Sequence, residues 1–381
     1  MNKKAVSICF AILLFGVSIT NLFAPKRDFS EYENRYLQQF PDLNAEDILS
    51  GKFSKDFVAF TSDQFIGRNG WISLKTISDL AVLKRDNGRV YFGKNGTLFD
   101  AGEKIDLEQL EKNMGFLADY ITLLKSRLPQ LNASILLVPT SSEILSEYLP
   151  PYAPVPEQQA AIDMVVEKLS KTASVYDPTK LLKENKVNYL YYRTDHHWTT
   201  DGAYLVYAGW AREIGLTPLS EQDFTIKKIS SSFYGALHSK ANLMTIKPDS
   251  VNVYCFTDDV QVLADFGGGD KRDSLCFEEF IQKKDVYSYF LGGNKPLVDI
   301  ATNADNGKTI MVIKDSFANC FIPFLTKHYQ RIIVADPRHL NTDYLELAEQ
   351  SGITDLLVLY NVPNFSSDKN LSKLTANKKG G

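Results

Sequence analysis

The sequence predicts an α/β domain over residues 86 to 365, with a doubly wound, mostly parallel sheet and helices on both faces. Three observations predict it. Short runs such as ASILLVP (133–139), SVYD (174–177), TIMVIKDS (309–316), RIIVAD (331–336) and DLLVLYN (355–361) are apolar instead of alternating, as expected of parallel strands buried on both faces. Helix-length segments separate them, at 105–128, 156–171 and 202–215, and strand–helix–strand repetition is the signature of parallel crossovers. The composition, 44% apolar and 23% charged, is that of a globular chain, so a core of this size can be built.

Taken in chain order, residues 1 to 24 come first. Positions 5 to 24 are uncharged and largely apolar behind Lys3 and Lys4, and 20 helical residues span about 30 Å, the hydrocarbon thickness of a bilayer. Two readings stand, an uncleaved single-pass membrane anchor or a cleaved secretory signal. Leu22 is not small and Pro25 follows Ala24, which favours the anchor. Either way, residues 25 to 381 are expected outside the cytoplasm. Residues 25 to 85 read as a polar stretch followed by helices, with Phe53, Phe57, Phe60 and Phe65 at three- to five-residue intervals. GRVYFGKNGTLF (88–99) reads as a hairpin around Asn95-Gly96. Residues 220 to 300 are less regular, rich in paired glycines, and read as an inserted lobe. Residues 366 to 381 are polar and read as a flexible tail. Cys255 and Cys276 can be read as a disulfide or as free thiols, and no cysteine spacing suggests zinc.

The net charge of −4, from 42 basic and 46 acidic residues, leaves no basic face, so a nucleic-acid partner is not expected. The chemistry concentrates elsewhere. The chain has five histidines, two of them adjacent in TDHHWTTDGAY (194–204). Ser316 follows the strand TIMVI and precedes the helix-like FANCFIPFLTKHY. That would expose its hydroxyl at the sheet's carboxyl edge, close to the free N–H groups of a helix start. A serine becomes a nucleophile when an imidazole takes its proton and a carboxylate fixes the tautomer. Residues i and i+2 of an extended loop point the same way, so Asp195 can reach one ring nitrogen of His197 while the other faces Ser316. His196 would then point away, toward Trp198 or the core, and Thr199 or Thr200 would cap the helix that follows. Other readings remain open. The histidines can be structural, with Ser316 a helix cap, or Asp195, His196 and His197 can bind a metal with a distant ligand such as His238. Adjacent histidines point apart in extended chain, so the expectation is no metal and no cofactor.

TDHHWTTDGAY resembles the signature of the DHHW family, which is similar to the alginate O-acetyltransferase proteins with their SGNH-hydrolase-like (flavodoxin-like) fold. FSEYENRYLQQFP, FGKNGTLF, FYGALHSKANL, VIKDSFANCFIPFL and VADPRHL agree with it, over most of residues 29 to 340. The resemblance implies a catalytic Asp195, His197 and Ser316, with His196, Trp198 and Asp315 in support. It also implies an acyl-serine intermediate, a polysaccharide acceptor and, as acyl donor, a membrane-bound acyltransferase partner. Where SGNH hydrolases have Gly before Asp-Ser, this chain has Lys314. Asn319 and Asn361 are the candidates for the oxyanion hole. An extracytoplasmic O-acetyltransferase is the leading expectation. An acetylesterase with the same residues and a non-catalytic glycan-binding or assembly protein, with Tyr189, Tyr191, Tyr192 and Trp198 to stack on sugars, are the alternatives.

Overall fold

In the computed structural model, which describes residues 3–380 except 31 and 34, the apolar runs assemble into one eight-stranded sheet. In chain order its strands are β1 (Asn132–Val138), β2 (Ser174–Tyr176), β3 (Val262–Asp265), β4 (Lys271–Arg272), β5 (Leu297–Thr302), β6 (Thr309–Lys314), β7 (Arg331–Ala335) and β8 (Asp355–Asn361). Their order across the sheet is β4-β3-β5-β7-β6-β8-β1-β2. Strands β2, β1, β8, β6 and β7 run parallel, whereas β5, β3 and β4 continue the sheet antiparallel. The sheet is therefore mixed, and the expectation of a mostly parallel one is corrected at this edge.

The cause lies in residues 220–300, which the sequence suggested were an insertion. Val262–Asp265 and Lys271–Arg272 form a hairpin around the glycines, and Leu297–Thr302 pairs Val298 with Val334 and Ile300 with Ile332. Val262–Asp265 and Lys271–Arg272 are short, and Leu297–Thr302 alternates buried Val298 and Ile300 with half-buried Leu297 and Asp299, so none has the continuous apolar run of a central strand. The region also holds a two-stranded ribbon, Phe224–Phe233 with Asp249–Phe256, and 3-10 turns at Glu278–Phe280 and Val286–Tyr289.

Each central strand is apolar on both sides because both faces are covered. Ile135, Leu137, Met311, Ile313 and Val358 pack under the helices Leu107–Arg127 and Gln158–Leu169, through Leu117, Ile121, Leu124, Ile162 and Val165. Leu136, Val138, Ile310, Val312 and Leu357 face the helix Thr200–Glu213, through Val206, Tyr207 and Trp210. Because β1, β6 and β8 are parallel, their carboxyl ends lie along one edge, where functional groups of open α/β sheets gather.

Two expectations about local structure change. FANCFIPFLTKHY is two 3-10 turns, Ser316–Cys320 and Ile322–Leu325, and not an α-helix. Pro323, which has no N–H to donate, sits in the second turn, and Phe317, Phe321 and Phe324 are all buried. The C-terminal tail is also more ordered than its polarity suggests. After the helix Val362–Ser367, the segment Lys369–Gly380 is helical, and Leu371 and Leu374 are buried in the core beside Leu107–Arg127. Two leucines three apart in a 3-10 turn share one face, which is enough to dock it.

The described chain divides into two units. This sheet and its helices form the unit Gly88–Leu237 with Lys247–Gly381. Residues up to Asn87, with His238–Ile246, form the other. That unit contains a 21-residue helix, Lys3–Phe23, long and apolar enough to cross a membrane. It also contains the helices Lys52–Asp63 and Arg68–Ala81 and a short antiparallel pair, Phe29–Ser30 with Arg35–Tyr36. Arg35 forks onto Asp63 at 2.6 and 2.8 Å, and Arg68 holds Glu33 at 2.7 Å, which ties the FSEYENRY stretch to both helices. Glu31 and Asn34 of that stretch, with Met1, Asn2 and Gly381, lie outside the described residues.

Candidate active site

Strand β6 carries Ser316 to the carboxyl edge of the sheet. Asp315, just before it, is fully buried. One of its carboxylate oxygens accepts the Phe317 amide at 2.8 Å, and the other accepts the Asn361 amide at 3.0 Å and Asn364 Nδ2 at 2.8 Å. Asp315 thus caps the 3-10 turn and ties it to the end of β8. Burial raises its pKa, and Arg338 and these donors oppose the rise. Ser316 is the first residue of the turn, so its own amide has no partner within it.

The loop Arg193–His197 is folded by a second buried carboxylate. Asp249 accepts the Thr194 amide at 2.8 Å, the Thr194 hydroxyl at 2.6 Å, the Arg193 guanidinium at 3.2 Å and the Tyr189 hydroxyl. Tyr191 and Trp198 bridge across the loop's base, and the Tyr192 amide donates to the His197 carbonyl at 3.2 Å. Thr199 caps the following helix by accepting the Gly202 amide at 3.1 Å.

This brings three of the expected residues into line. Asp195 Oδ1 lies 2.5 Å from His197 Nδ1, and His197 Nε2 lies 2.8 Å from Ser316 Oγ. A carboxylate can only accept, so Nδ1 carries the ring proton and donates to Asp195. Nε2 is left with a lone pair, to which the Ser316 hydroxyl donates. All three side chains are buried. Burial acts to raise the Asp195 pKa. His196, His197 and the Ala236 amide at 2.8 Å outweigh it and hold the acid well below the usual carboxylate range.

His196 departs from expectation. It does not point to the core: its ring, half-exposed, leans over His197 at 3.9 Å between centroids, with Nδ1 3.8 Å from Asp195. The loop is a tight reversal instead of extended chain, so adjacent side chains converge. Ligand atoms of Asp195, His196 and His197 consequently lie within 4.8 Å of one another. Both ring nitrogens of His197 already have protein partners, however, and His238 belongs to the N-terminal unit. Trp198 is buried and donates from Nε1 to the Phe317 carbonyl at 2.9 Å, bracing the serine turn. Asn361 uses its carbonyl oxygen to cap the helix Val362–Ser367. Asn319 is committed to Lys314, whose buried ammonium donates to its Oδ1 at 2.7 Å, to Asn294 Oδ1 at 3.1 Å, and lies 3.7 Å from Asp336. Burial lowers the Lys314 pKa to about 8.

Sequence reasoning missed three contributors. Tyr287, from the region read as a lobe, lies flat on the His197 ring and donates its hydroxyl to the Ser316 carbonyl at 3.0 Å. Gly235 passes so close to Asp195 that a Cβ there would be 2.3 Å from the Asp195 Cβ. Asp249 organises the loop. No local spacing announces any of them, because each acts across tens of residues of chain, although Gly235 stands within FYGALHSKANL.

Comparison with known proteins gives a concordant picture. A family model described as DHHW protein matches residues 136–335. A crystal structure of a DHHW family protein from Eubacterium siraeum is similar at a TM-score of 0.61 and 22% identity, covering 76% of this chain and 98% of that one. Bacillus cereus PatB1, solved with a sulfonyl adduct, is similar at 0.62 and 20% identity, over 75% and 99% of the two chains. A search of curated proteins finds no match. At these identities the likeness shows a shared α/β fold with a large mixed sheet.

Proposed function

As the chain belongs to the DHHW family, we propose that it is an extracytoplasmic, serine-dependent O-acetyltransferase that acetylates a cell-surface or secreted polysaccharide. The observation that carries this reading is the hydrogen-bonded line from Asp195 through His197 to Ser316. In the first step Ser316 Oγ bonds to the donor's acyl carbon while His197 Nε2 takes the hydroxyl proton, and Asp195 stabilises the imidazolium. The tetrahedral intermediate collapses, the donor's leaving group departs with that proton, and acetyl-serine remains. In the second step a sugar hydroxyl gives its proton to His197, attacks the acetyl carbon, and Ser316 leaves and is reprotonated. Ser316's unpartnered amide supports charge on the acyl oxygen. The Nδ2 of Asn361 is the second donor we assign, since its strand end is bound to Asp315 beside the serine. No step calls for a metal or cofactor.

The resemblance to alginate O-acetyltransferase proteins supports the polysaccharide acceptor and a membrane-bound acyltransferase as donor. The apolar helix Lys3–Phe23 supports placement at the outer face of a cell membrane, single-pass, or secretion if the segment is removed. An esterase would use the same residues with water as acceptor. The two are separated by incubating the protein with an activated acetyl ester, with and without polysaccharide, and following free acetate and glycan-bound acetyl together. Transfer predicts that glycan diverts acetyl from water. Acetate release unchanged by every glycan offered, with none acetylated, would favour the esterase.

A further inference from the structure

The N-terminal unit contains a helix whose polarity is turned inside out. Along Arg68–Ala81, Ser73 and Thr76 are buried at 4% exposure each, whereas Trp71, Leu74 and Ile77 stand 57, 53 and 42% exposed. The buried side is occupied: Ser73 Oγ accepts the Met244 amide at 3.2 Å and Thr76 bonds the Ile72 carbonyl at 3.1 Å. The three apolar residues recur every third position and so share an arc of about 120° on the other side. A water-facing helix would place these residues the opposite way round.

A hydrogen bond links the segment leading into this helix to the end of the apolar helix Lys3–Phe23. Asn21, near that helix's end, accepts the amide of Ile66 at 2.9 Å, and Ile66 is itself exposed one turn before Trp71. Lys26 donates to the Asn21 carbonyl at 3.1 Å and lies 5.4 Å from the Phe60 ring, which packs on the exposed Phe40. Apolar surface therefore flanks the point where the long helix ends, with Lys26 and Arg27 beside it. Exposed tryptophan and basic residues close to the end of an apolar helix are the composition of a bilayer interface.

We propose that the face Trp71–Leu74–Ile77 lies in the headgroup region of the lipid bilayer, so that the N-terminal unit is seated on the membrane and not only tethered to it. This goes beyond the catalytic reading and rests on the anchor alone. Trp71 makes it directly measurable, because Trp198 and Trp210, the two other tryptophans, are fully buried. The full chain would be reconstituted in phosphatidylcholine–phosphatidylglycerol vesicles, and its fluorescence compared with that of Trp71→Phe. Bromination of the lipid acyl chains near the headgroup should quench the Trp71 component, and aqueous acrylamide should not. Leu74→Glu with Ile77→Glu should reverse that preference while leaving the near-UV circular dichroism unchanged. A chain that floats with the vesicles but whose Trp71 is quenched only from water overturns the inference and spares the anchor. Shielding from both quenchers overturns it in favour of a protein covering the face. Failure to float overturns the inference and the anchor together.

Discussion

The ring of Tyr287 lies 3.8 Å from that of His197 at an interplanar angle of 12°, and the same tyrosine donates to the Ser316 carbonyl. One side chain therefore holds both the orientation of the His197 ring and the backbone of Ser316. Tyr287→Phe keeps the stack and loses one hydrogen bond, and it should reduce kcat less than tenfold, since a single buried bond contributes about 1 kcal/mol. Tyr287→Leu frees the imidazole to tilt and should cost about 10²-fold in kcat with KM little changed. Steady-state kinetics on an activated acetyl ester check both. Equal losses in the two variants would place the role in the hydroxyl instead.

Asp195 holds the tautomer of His197. Asp195→Asn should leave the fold intact and lower kcat by about 10⁴-fold, because an amide at this position can donate a hydrogen bond to Nδ1 and so favours the wrong tautomer. The same group sets an acid limit. Its folded pKa is depressed, so its stabilisation is present above the unfolded value of about 3.9 and is lost as pH falls below it. Each pH unit in that range should remove up to about 1.4 kcal/mol from the wild-type protein. Denaturant titrations at pH 4 and pH 3 should show the asparagine variant losing less.

Gly235 packs against Asp195 with no room for a side chain. Gly235→Ala would set a methyl 2.4 Å from the carboxylate oxygen Oδ2. Either the Phe233–Leu237 segment or Asp195 must move, at about 1–3 kcal/mol. Misplacing Asp195 should cost about 10²-fold in kcat as well. Thermal unfolding and kcat should fall together.

Lys314 is buried with its pKa lowered to about 8. Unlike a carboxylate with a partner, this group destabilises the fold at neutral pH, because the unfolded chain keeps its proton up to about pH 10.5. The unfolded state thus binds more protons between pH 8 and 10.5, and stability should rise with pH there, by about 2 kcal/mol between pH 7.5 and 9.5. Denaturant unfolding at those two pH values should show the gain, and Lys314→Met should abolish it. That variant is also expected to loosen Asn319 and Asn294, which accept from the ammonium.

Much of this was legible in the sequence, for physical reasons that differ by element. The four central parallel strands stand out because burial on both faces leaves a continuous apolar run, as in Thr309–Lys314 and Asp355–Asn361. The antiparallel edge is hidden because Val262–Asp265 is four residues long and half open to solvent. The juxtaposition of Asp195, His197 and Ser316 is legible because histidine is scarce and chemistry restricts its companions. His196 was misplaced because a reversal of the loop, held by Asp249 more than 50 residues away, decides where its ring goes. Nothing local foretells that the Lys314 ammonium folds inward onto the Oδ1 of Asn319, whose Nδ2 donates to Asn294 at 3.4 Å.

The most direct test of the central claim is to trap the acyl-enzyme. The protein is incubated with an activated acetyl ester, and intact mass with peptide mapping locates any acetyl group. One acetyl is expected on Ser316, absent in Ser316→Ala and slowed by about 10³-fold or more in His197→Ala. Acetylation confined to other residues, or formed on Ser316 at the same rate in His197→Ala, would contradict it.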